Sequence, residues 1–520
     1  MSTHADPAGH RPPRAWPGAA AWPLPRRWRW VVLMALAGLG LAGGAWAQPG
    51  PDPLLKPCRL KGLSQDAWCG SLPRPLDPAV PSGPQIDVQF VVLPALARHK
   101  KPDPIVFLAG GPGQSAVSLA PMVARQFSRS LNRRDLVLVD QRGTGRSAPL
   151  DCGDESPGRP LADASIDTQL RELAQCRERL QRLPHGQLQH YSTTVAMADL
   201  DAVRAALQAP RINLVGASYG TRAALEYQRQ FPERVRRTVL DGVAPPDMVL
   251  PQSFGQDTQT ALKTLFAACD ADAMCAARYG PLRPKWDGLL ASLPRTVILT
   301  HPLTAVQETV TLTPDMLTSW VRLPLYVPSL TAALPQALHE ASQGRFAPLL
   351  GLASSLGGGR SRATRLAMGQ HFSVVCAEDV PRMAPGGSGF SDLYRRACAD
   401  WPRATIPDAF YTVPPAKTPV LVFSGGADPA TPPRHGERVT QALGAQARHR
   451  VVPGAGHGVM SLPCLRDAVH RFIDADDPAA ALATDLSCAQ QVPRATIFQP
   501  VQPATRAASA AGQGGGQERP

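Results

Sequence analysis

Short apolar runs and stretches of helical periodicity alternate along the first half of the chain. Residues 86–93, 105–108, 136–139, 212–215 and 238–240 are dominated by Val, Ile, Leu and Phe, and each is bounded by polar, Gly or Pro positions, which predicts strands buried in a sheet. Helical segments such as residues 196–207 separate them. Continuously apolar strands alternating with helices predict a mostly parallel sheet covered on both faces. The pattern breaks between Pro245 and Pro407, where helix-like segments with Pro and Gly interruptions show little strand character, and it resumes at residues 419–423 and 450–452. The expectation is therefore an α/β core in two parts, residues 48–245 and 408–490, with a mainly helical cap, 246–407, inserted over the strand C-termini, where open α/β sheets bind ligands. Residues 49–84, rich in Pro, predict an extended lead-in. The Ala/Gly/Gln/Pro-rich segment 491–520 predicts a disordered tail.

The N-terminus does not fit this core. Arg26-Arg27-Trp28-Arg29 precedes an apolar run from Val31 to Leu41, and Ala45-Trp46-Ala47 supplies the small residues of a cleavage site, so residues 1–47 are expected to be a secretory signal removed before Gln48. No later apolar run approaches the roughly 20 residues of a membrane span, so no integral membrane segment is expected after cleavage. The ten cysteines fall as neighbours in sequence: 58 with 69, 152 with 176, 269 with 275, 376 with 398, and 464 with 488. In an exported chain this suggests disulfides closing local loops, although spacing alone does not fix the connectivity. Together these features predict a secreted or periplasmic protein. The formal charge is +13, of which the leader's five Arg and one Asp supply four. The remaining basic residues are scattered without a Lys/Arg block, which argues against nucleic-acid binding.

Three glycine-rich turns close three of the predicted strands. They are Gly110-Gly111-Pro112-Gly113 after 105–108, Gly216-Ala217-Ser218-Tyr219-Gly220 after 212–215, and Gly454-Ala455-Gly456-His457-Gly458 after 450–452. The run after Ser218 continues at helical spacing without Pro, so the serine sits on a sharp strand-to-helix turn that only small neighbours tolerate. That order of turns predicts the α/β-hydrolase fold, with Ser218 as nucleophile and His457 as base. Asp428, after the strand 419–423 and the pair Gly425-Gly426, is the expected acid. Asp241, at the end of the preceding core strand, is the second choice. The developing oxyanion is expected to meet the backbone N–H groups of Tyr219 and Gly111. Nothing resembling a phosphate loop, metal-ligand cluster or redox motif is present, so no cofactor is expected.

Leu108-Ala109-Gly110-Gly111-Pro112-Gly113, Asp140-Gln141-Arg142-Gly143-Thr144-Gly145-Arg146-Ser147 and the serine turn together resemble the prolyl aminopeptidase and tripeptidyl aminopeptidase family of secreted α/β-hydrolases. Further similarity in residues 239–243, in Cys376-Ala377-Glu378 and around Asp428 and His457 extends the match over roughly residues 85–475. The resemblance implies release of one to three residues from peptides with a free N-terminus. It leaves the length released, and the oligomeric state, open. Ala109 stands where the family often has His or Asn, and Arg142 is expected to pin its turn rather than bind substrate. An aminopeptidase must recognise the substrate's α-ammonium group. Glu378, late in the cap insertion, is the expected carboxylate, with Asp379 as substitute. A carboxylesterase of the same fold is the rival reading, distinguished by the Asp140-Gln141-Arg142-Gly143 element. A non-catalytic binding protein on this fold is the remaining alternative.

Overall fold

The computed structural model describes residues 54–153, 159–161, 165–355, 365–387 and 389–500. The expected signal segment 1–47 and residues 501–520 of the expected tail lie outside them. Nine strands form one sheet, ordered β1 (Leu55–Cys58), β2 (Ala67–Pro75), β3 (Gln85–Leu93), β5 (Leu136–Val139), β4 (Ile105–Leu108), β6 (Ile212–Ala217), β7 (Val235–Asp241), β10 (Val420–Gly425) and β11 (Ala447–Val452). The six strands from β5 to β11 in that order run parallel, while β1, β2 and β3 are antiparallel to their neighbours. This is the α/β-hydrolase fold. Every residue of β4, β5 and β10 is buried, because helices cover both faces of the sheet; this is why these strands read as continuous apolar runs rather than alternations.

Nine helices matter below: α1 (Ile166–Gln181), α2 (Thr193–Ala206), α3 (Tyr219–Gln230), α4 (Ser253–Ala271), α5 (Pro314–Leu325), α6 (Met368–Glu378), α7 (Gly389–Ala399), α8 (Pro433–Leu443) and α9 (Pro463–Asp474). On one face of the sheet, Val106, Leu214 and Val422 pack with Leu200 and Val203 of α2, Ala223 and Tyr227 of α3 and Val439 of α8. On the other, Phe107, Val215 and Phe423 pack with Leu465, Val469 and Phe472 of α9. The insertion divides between two cores. Its first part, with Leu262, Phe266, Trp286, Leu317 and Val321, has an apolar core of its own. Phe372 and Val375 of α6 and Leu393 of α7 join the main core instead.

Three expectations need correction. The lead-in 49–84 contains β1 and β2, tied together by the Cys58–Cys69 disulfide. Pro73 and Pro75 hid β2 in the sequence, but they lie beyond the residues paired with β1, where a missing N–H costs no ladder bond on that side. The cap, though mainly helical, carries an antiparallel hairpin, β8 (Arg295–Thr300) with β9 (Gln307–Leu312). The first residues of the expected disordered tail are ordered against the cap: Phe498 N–H donates to Ala332 O at 2.8 Å, Tyr279 Oη donates to Phe498 O at 2.8 Å, and Ile497 is buried in the cap core.

All ten cysteines are paired, as Cys58–Cys69, Cys152–Cys176, Cys269–Cys275, Cys376–Cys398 and Cys464–Cys488. The neighbours in sequence are thus the partners. Among the described residues no helix is long and apolar enough to cross a membrane.

Candidate active site

Strand register brings the candidate residues to one edge. Leu108 pairs with Gly216, Ala217 with Asp241, and Asp241 with Phe423, so the turns after β4, β6, β7 and β10 all emerge level with one another. Ser218, between β6 and α3, has φ 56° and ψ −126°, a left-handed backbone that a serine adopts only when its surroundings enforce it. They do so closely. A Cβ on Gly220 would lie 2.1 Å from Leu108 O, and one on Gly216 would lie 2.4 Å from Gly220 O. Ser218 N–H donates to Asp241 O at 2.9 Å, and Thr221 caps the turn from the other side, its hydroxyl donating to Ser218 O at 2.6 Å.

His457 follows β11 and stands beside Gly242, where an added Cβ would meet its Cε1 at 3.1 Å. Its Nδ1 is 2.8 Å from Asp428 Oδ2. Asp428 is fully buried and otherwise satisfied: Oδ1 accepts the amides of Ala430 and Thr431 at 2.8 and 2.9 Å, and Oδ2 accepts the Thr431 hydroxyl at 2.8 Å. Burial works to push the Asp428 carboxyl up, but the His457 charge and these donors hold it below the ordinary range. Burial likewise works to lower the His457 imidazole, and the neighbouring Asp428 carboxylate raises it above its ordinary value. Neither Ser218 Oγ nor His457 Nε2 is committed to another side chain among the described residues.

Asp241, the alternative acid, does not touch the His457 ring. Its carboxylate accepts the amides of Val459, at 3.0 and 2.9 Å, and Met460, at 2.9 Å. It therefore clamps the loop that follows the histidine. The Tyr219 amide opens α3 and has no intrahelical acceptor. In the glycine turn, Gly110 packs against the serine, where an added Cβ would sit 3.2 Å from Ser218 Cβ, whereas one on Gly111, at φ 110°, would face Gly113 N and Gln114 N. The turn is held by Asp140, whose Oδ1 accepts the Ser115 hydroxyl at 2.7 Å and the Val117 amide at 3.0 Å. Arg142 is buried, with Asp199 at 2.7 and 3.0 Å and the carbonyls of Pro75, Leu76 and His190 around its fork. Its donors are spent on the fold.

Glu378 is where the structure departs most from the sequence reading. Its side chain is fully buried at the end of α6, and its oxygens accept the Thr193 amide at 2.7 Å, the Thr193 hydroxyl at 3.0 Å and Arg222 at 3.4 Å. Asp379, also fully buried, accepts both Arg222 nitrogens at 3.0 Å and the Leu250 amide at 3.0 Å. Burial pushes the Glu378 carboxyl up to about 7, against the pull of Arg222 and Thr193. No oxygen of either acid is open to an ammonium group. The pair instead braces Arg222, on the first turn of α3, one turn below the serine. The expectation that Glu378 or Asp379 meets the substrate is corrected accordingly.

Three further neighbours of the site are not singled out by the sequence patterns above. Thr431 bridges Asp428 and His457, its hydroxyl 3.1 Å from Nδ1; the spacing Asp428-x-x-Thr431, typical of a side chain capping its own turn, was the available clue. Tyr326, at the end of α5, stacks edge-on to His457 at 5.0 Å, and its carbonyl accepts the His457 amide at 3.1 Å. His371 of α6 lies with Nδ1 3.1 Å from Pro112 O and Nε2 2.8 Å from Tyr394 Oη. Burial lowers its pKa to about 4, so it acts as a neutral strut for the glycine turn.

Comparison with known proteins agrees with this architecture. The family described as alpha/beta hydrolase fold matches residues 103–272, and the family described as TAP-like protein matches residues 388–488. Serine protease Hip1 of Mycobacterium tuberculosis is 26% identical over 460 residues, covering 79% of this chain and 88% of that protein. Tripeptidyl aminopeptidase of Streptomyces lividans is 32% identical over 200 residues, 35% of this chain and 36% of that protein. Proline iminopeptidase of Neisseria meningitidis is 28% identical over 140 residues, 27% of this chain and 32% of that protein.

Proposed function

Starting from a chain that belongs to the α/β hydrolases and carries a TAP-like C-terminal part, we infer that it is an exported serine peptidase that releases one to three residues from the N-terminus of peptides. One observation carries the chemistry: a buried Asp428–His457 pair, 2.8 Å apart, beside a serine held in a strained turn. His457 takes the Ser218 proton while Oγ attacks the scissile carbonyl. Asp428 keeps Nδ1 protonated, so that Nε2 is the basic nitrogen, and stabilises the imidazolium that forms. The oxyanion is met by the Tyr219 amide and an amide of the Gly110-Gly111 turn. Loss of one such donor costs about 100- to 1000-fold in turnover. The tetrahedral adduct collapses as His457 returns the proton to the leaving amine, leaving an acyl group on Ser218. Water, deprotonated by His457, then releases the acyl product and restores the serine.

The peptide part of the reading rests on the names of the relatives, serine protease Hip1, tripeptidyl aminopeptidase and proline iminopeptidase. Export rests on the leader and on five disulfides, which form and persist in oxidising compartments. The test is a panel of free and N-acetylated peptides with mass-spectrometric identification of products, run beside 4-nitrophenyl acyl esters. Release of one to three residues from free but not acetylated peptides supports the reading. Turnover confined to the esters would replace it with a carboxylesterase.

A further inference from the structure

Among the described residues Arg322, on the cap helix that leads to Tyr326, is a cation without an anionic partner. It lies in the last turn of α5, one helical turn before Tyr326, the residue that stacks on His457. Its guanidinium is packed over the ring of Phe254 from α4, at 4.3 Å, and approaches the ring of Phe390 from α7, at 5.7 Å. Phe390 in turn stacks on Tyr394 at 5.2 Å, and Tyr394 bonds His371, the strut of the Pro112 turn. Arg322 is thus linked through two short chains of contacts to the base on one side and to the glycine turn on the other.

Among the described residues Arg322 has no carboxylate partner and no hydrogen bond, and its Nη1 is sealed from solvent without an acceptor. The other cap and core arginines near the site are spent. Arg222 is held by Asp379 and Glu378, Arg142 by Asp199, and Arg434 by Asp257. Stacking on Phe254 returns part of the cost of drawing a cation out of water. It uses none of the five N–H donors; Nη1 is sealed without an acceptor, and Nε and Nη2, which also make no hydrogen bond, are the donors left for a ligand. The flat fork of an arginine, stacked on aromatic rings and with no hydrogen bond along its Nε–Nη2 edge, matches the two oxygens of a carboxylate. The same field repels an ammonium group.

We propose that Arg322 is a specificity-determining residue that takes a carboxylate of the substrate, either an acidic side chain or a free C-terminus, on its Nε–Nη2 edge. The proposal rests on the hydrolase reading of Ser218 and not on the peptidase reading, and it is tested on both substrate kinds. Wild type, Arg322→Gln and Arg322→Lys are compared on three matched pairs: short peptides with a C-terminal acid or amide, peptides with Glu or Gln at one position, and the 4-nitrophenyl monoester of glutarate against 4-nitrophenyl pentanoate. Wild type is expected to favour the anionic member of at least one pair by about 10- to 100-fold in kcat/KM, the range that charge-assisted hydrogen bonds supply. The pair that responds identifies the source of the carboxylate. Arg322→Gln is expected to remove that preference by slowing the anionic member, and Arg322→Lys, a point charge without the fork, to keep part of it. Fluorophosphonate labelling of Ser218 at the wild-type rate shows that the variants have folded. No anionic preference in any wild-type pair, or an equal fall for both members in Arg322→Gln, overturns the proposal. Hydrolysis of the esters without hydrolysis of any peptide would overturn the peptidase reading alone, and the ester pair would still decide the role of Arg322.

Discussion

Replacing Asp428 by Asn keeps the shape of the turn and changes one atom that matters. The Asn oxygen, in place of Oδ1, still accepts the amides of Ala430 and Thr431. The Asn amino group, in place of Oδ2, now faces His457 Nδ1 across 2.8 Å as a donor. Nδ1 must then be the acceptor, its proton moves to Nε2, and Nε2 can no longer take the Ser218 proton. A wrong tautomer of this kind costs on the order of 10⁴-fold in turnover, equivalent to about 5.4 kcal/mol of barrier. The pH profile carries a second signature. In the wild type Asp428 raises the His457 pKa, so the acid limb of kcat/KM lies above the ordinary histidine value and activity falls as pH drops through it. Without the Asp428 carboxylate, burial, which lowers the imidazole, is opposed only by the smaller pull of Asp241, so the residual activity of Asp428→Asn should have its acid limb at lower pH. The assay is kcat/KM on a 4-nitrophenyl ester from pH 5 to 9, with melting temperature as the check on folding. Turnover within tenfold of wild type, or an acid limb that does not move, would refute the assignment.

Asp241→Asn separates the two candidate acids: it weakens the clamp on Val459 and Met460 and should cost about 1–3 kcal/mol of stability while lowering turnover by about tenfold, far less than Asp428→Asn. An inactive Asp241→Asn beside an active Asp428→Asn would exchange their roles. Glu378→Gln should change KM for free-amine peptides and for simple esters by the same factor, because the wild-type carboxylate is closed to substrate; a rise confined to the peptides would restore it as a reader of the N-terminus. The same variant should alter stability against pH. Glu378 has a folded pKa pushed up to about 7, above its unfolded value, so its contribution is fully present below the unfolded pKa of about 4.5 and is lost as pH rises through 7. Melting temperature should therefore decline less between pH 5 and 8 in Glu378→Gln, and parallel declines would contradict the buried-acid account.

The serine turn, the histidine loop and the parallel strands were legible because each is written in a few consecutive residues. Gly216 and Gly220 flank Ser218 for a steric reason that the sequence states directly, and β4, β6 and β10 are apolar because both their faces are covered. What was hidden depends on distant partners. The apolar run before Glu378 correctly indicated burial, but Thr193 and Arg222, which satisfy its carboxylate, are 185 and 156 residues away. Without them a buried acid reads equally well as a ligand for a cation. Tyr326 meets His457 only because the end of α5 packs against the histidine loop, and no local pattern marks that contact. The strand β2 was masked by prolines whose freedom depends on where β1 ends. The order of residues 492–498 depends on Tyr279 and Ala332 in the cap, which composition does not show.

The central claim is that Ser218 is the nucleophile and that Asp428 and His457 activate it. Its most direct test is intact and peptide-level mass spectrometry after treatment with a fluorophosphonate, on wild type, Ser218→Ala and His457→Ala. One adduct per wild-type chain, carried on the peptide containing Ser218, absent in Ser218→Ala and slowed by about 10³-fold or more in His457→Ala, is the predicted result. An adduct on another residue, or wild-type labelling kinetics in His457→Ala, would contradict it.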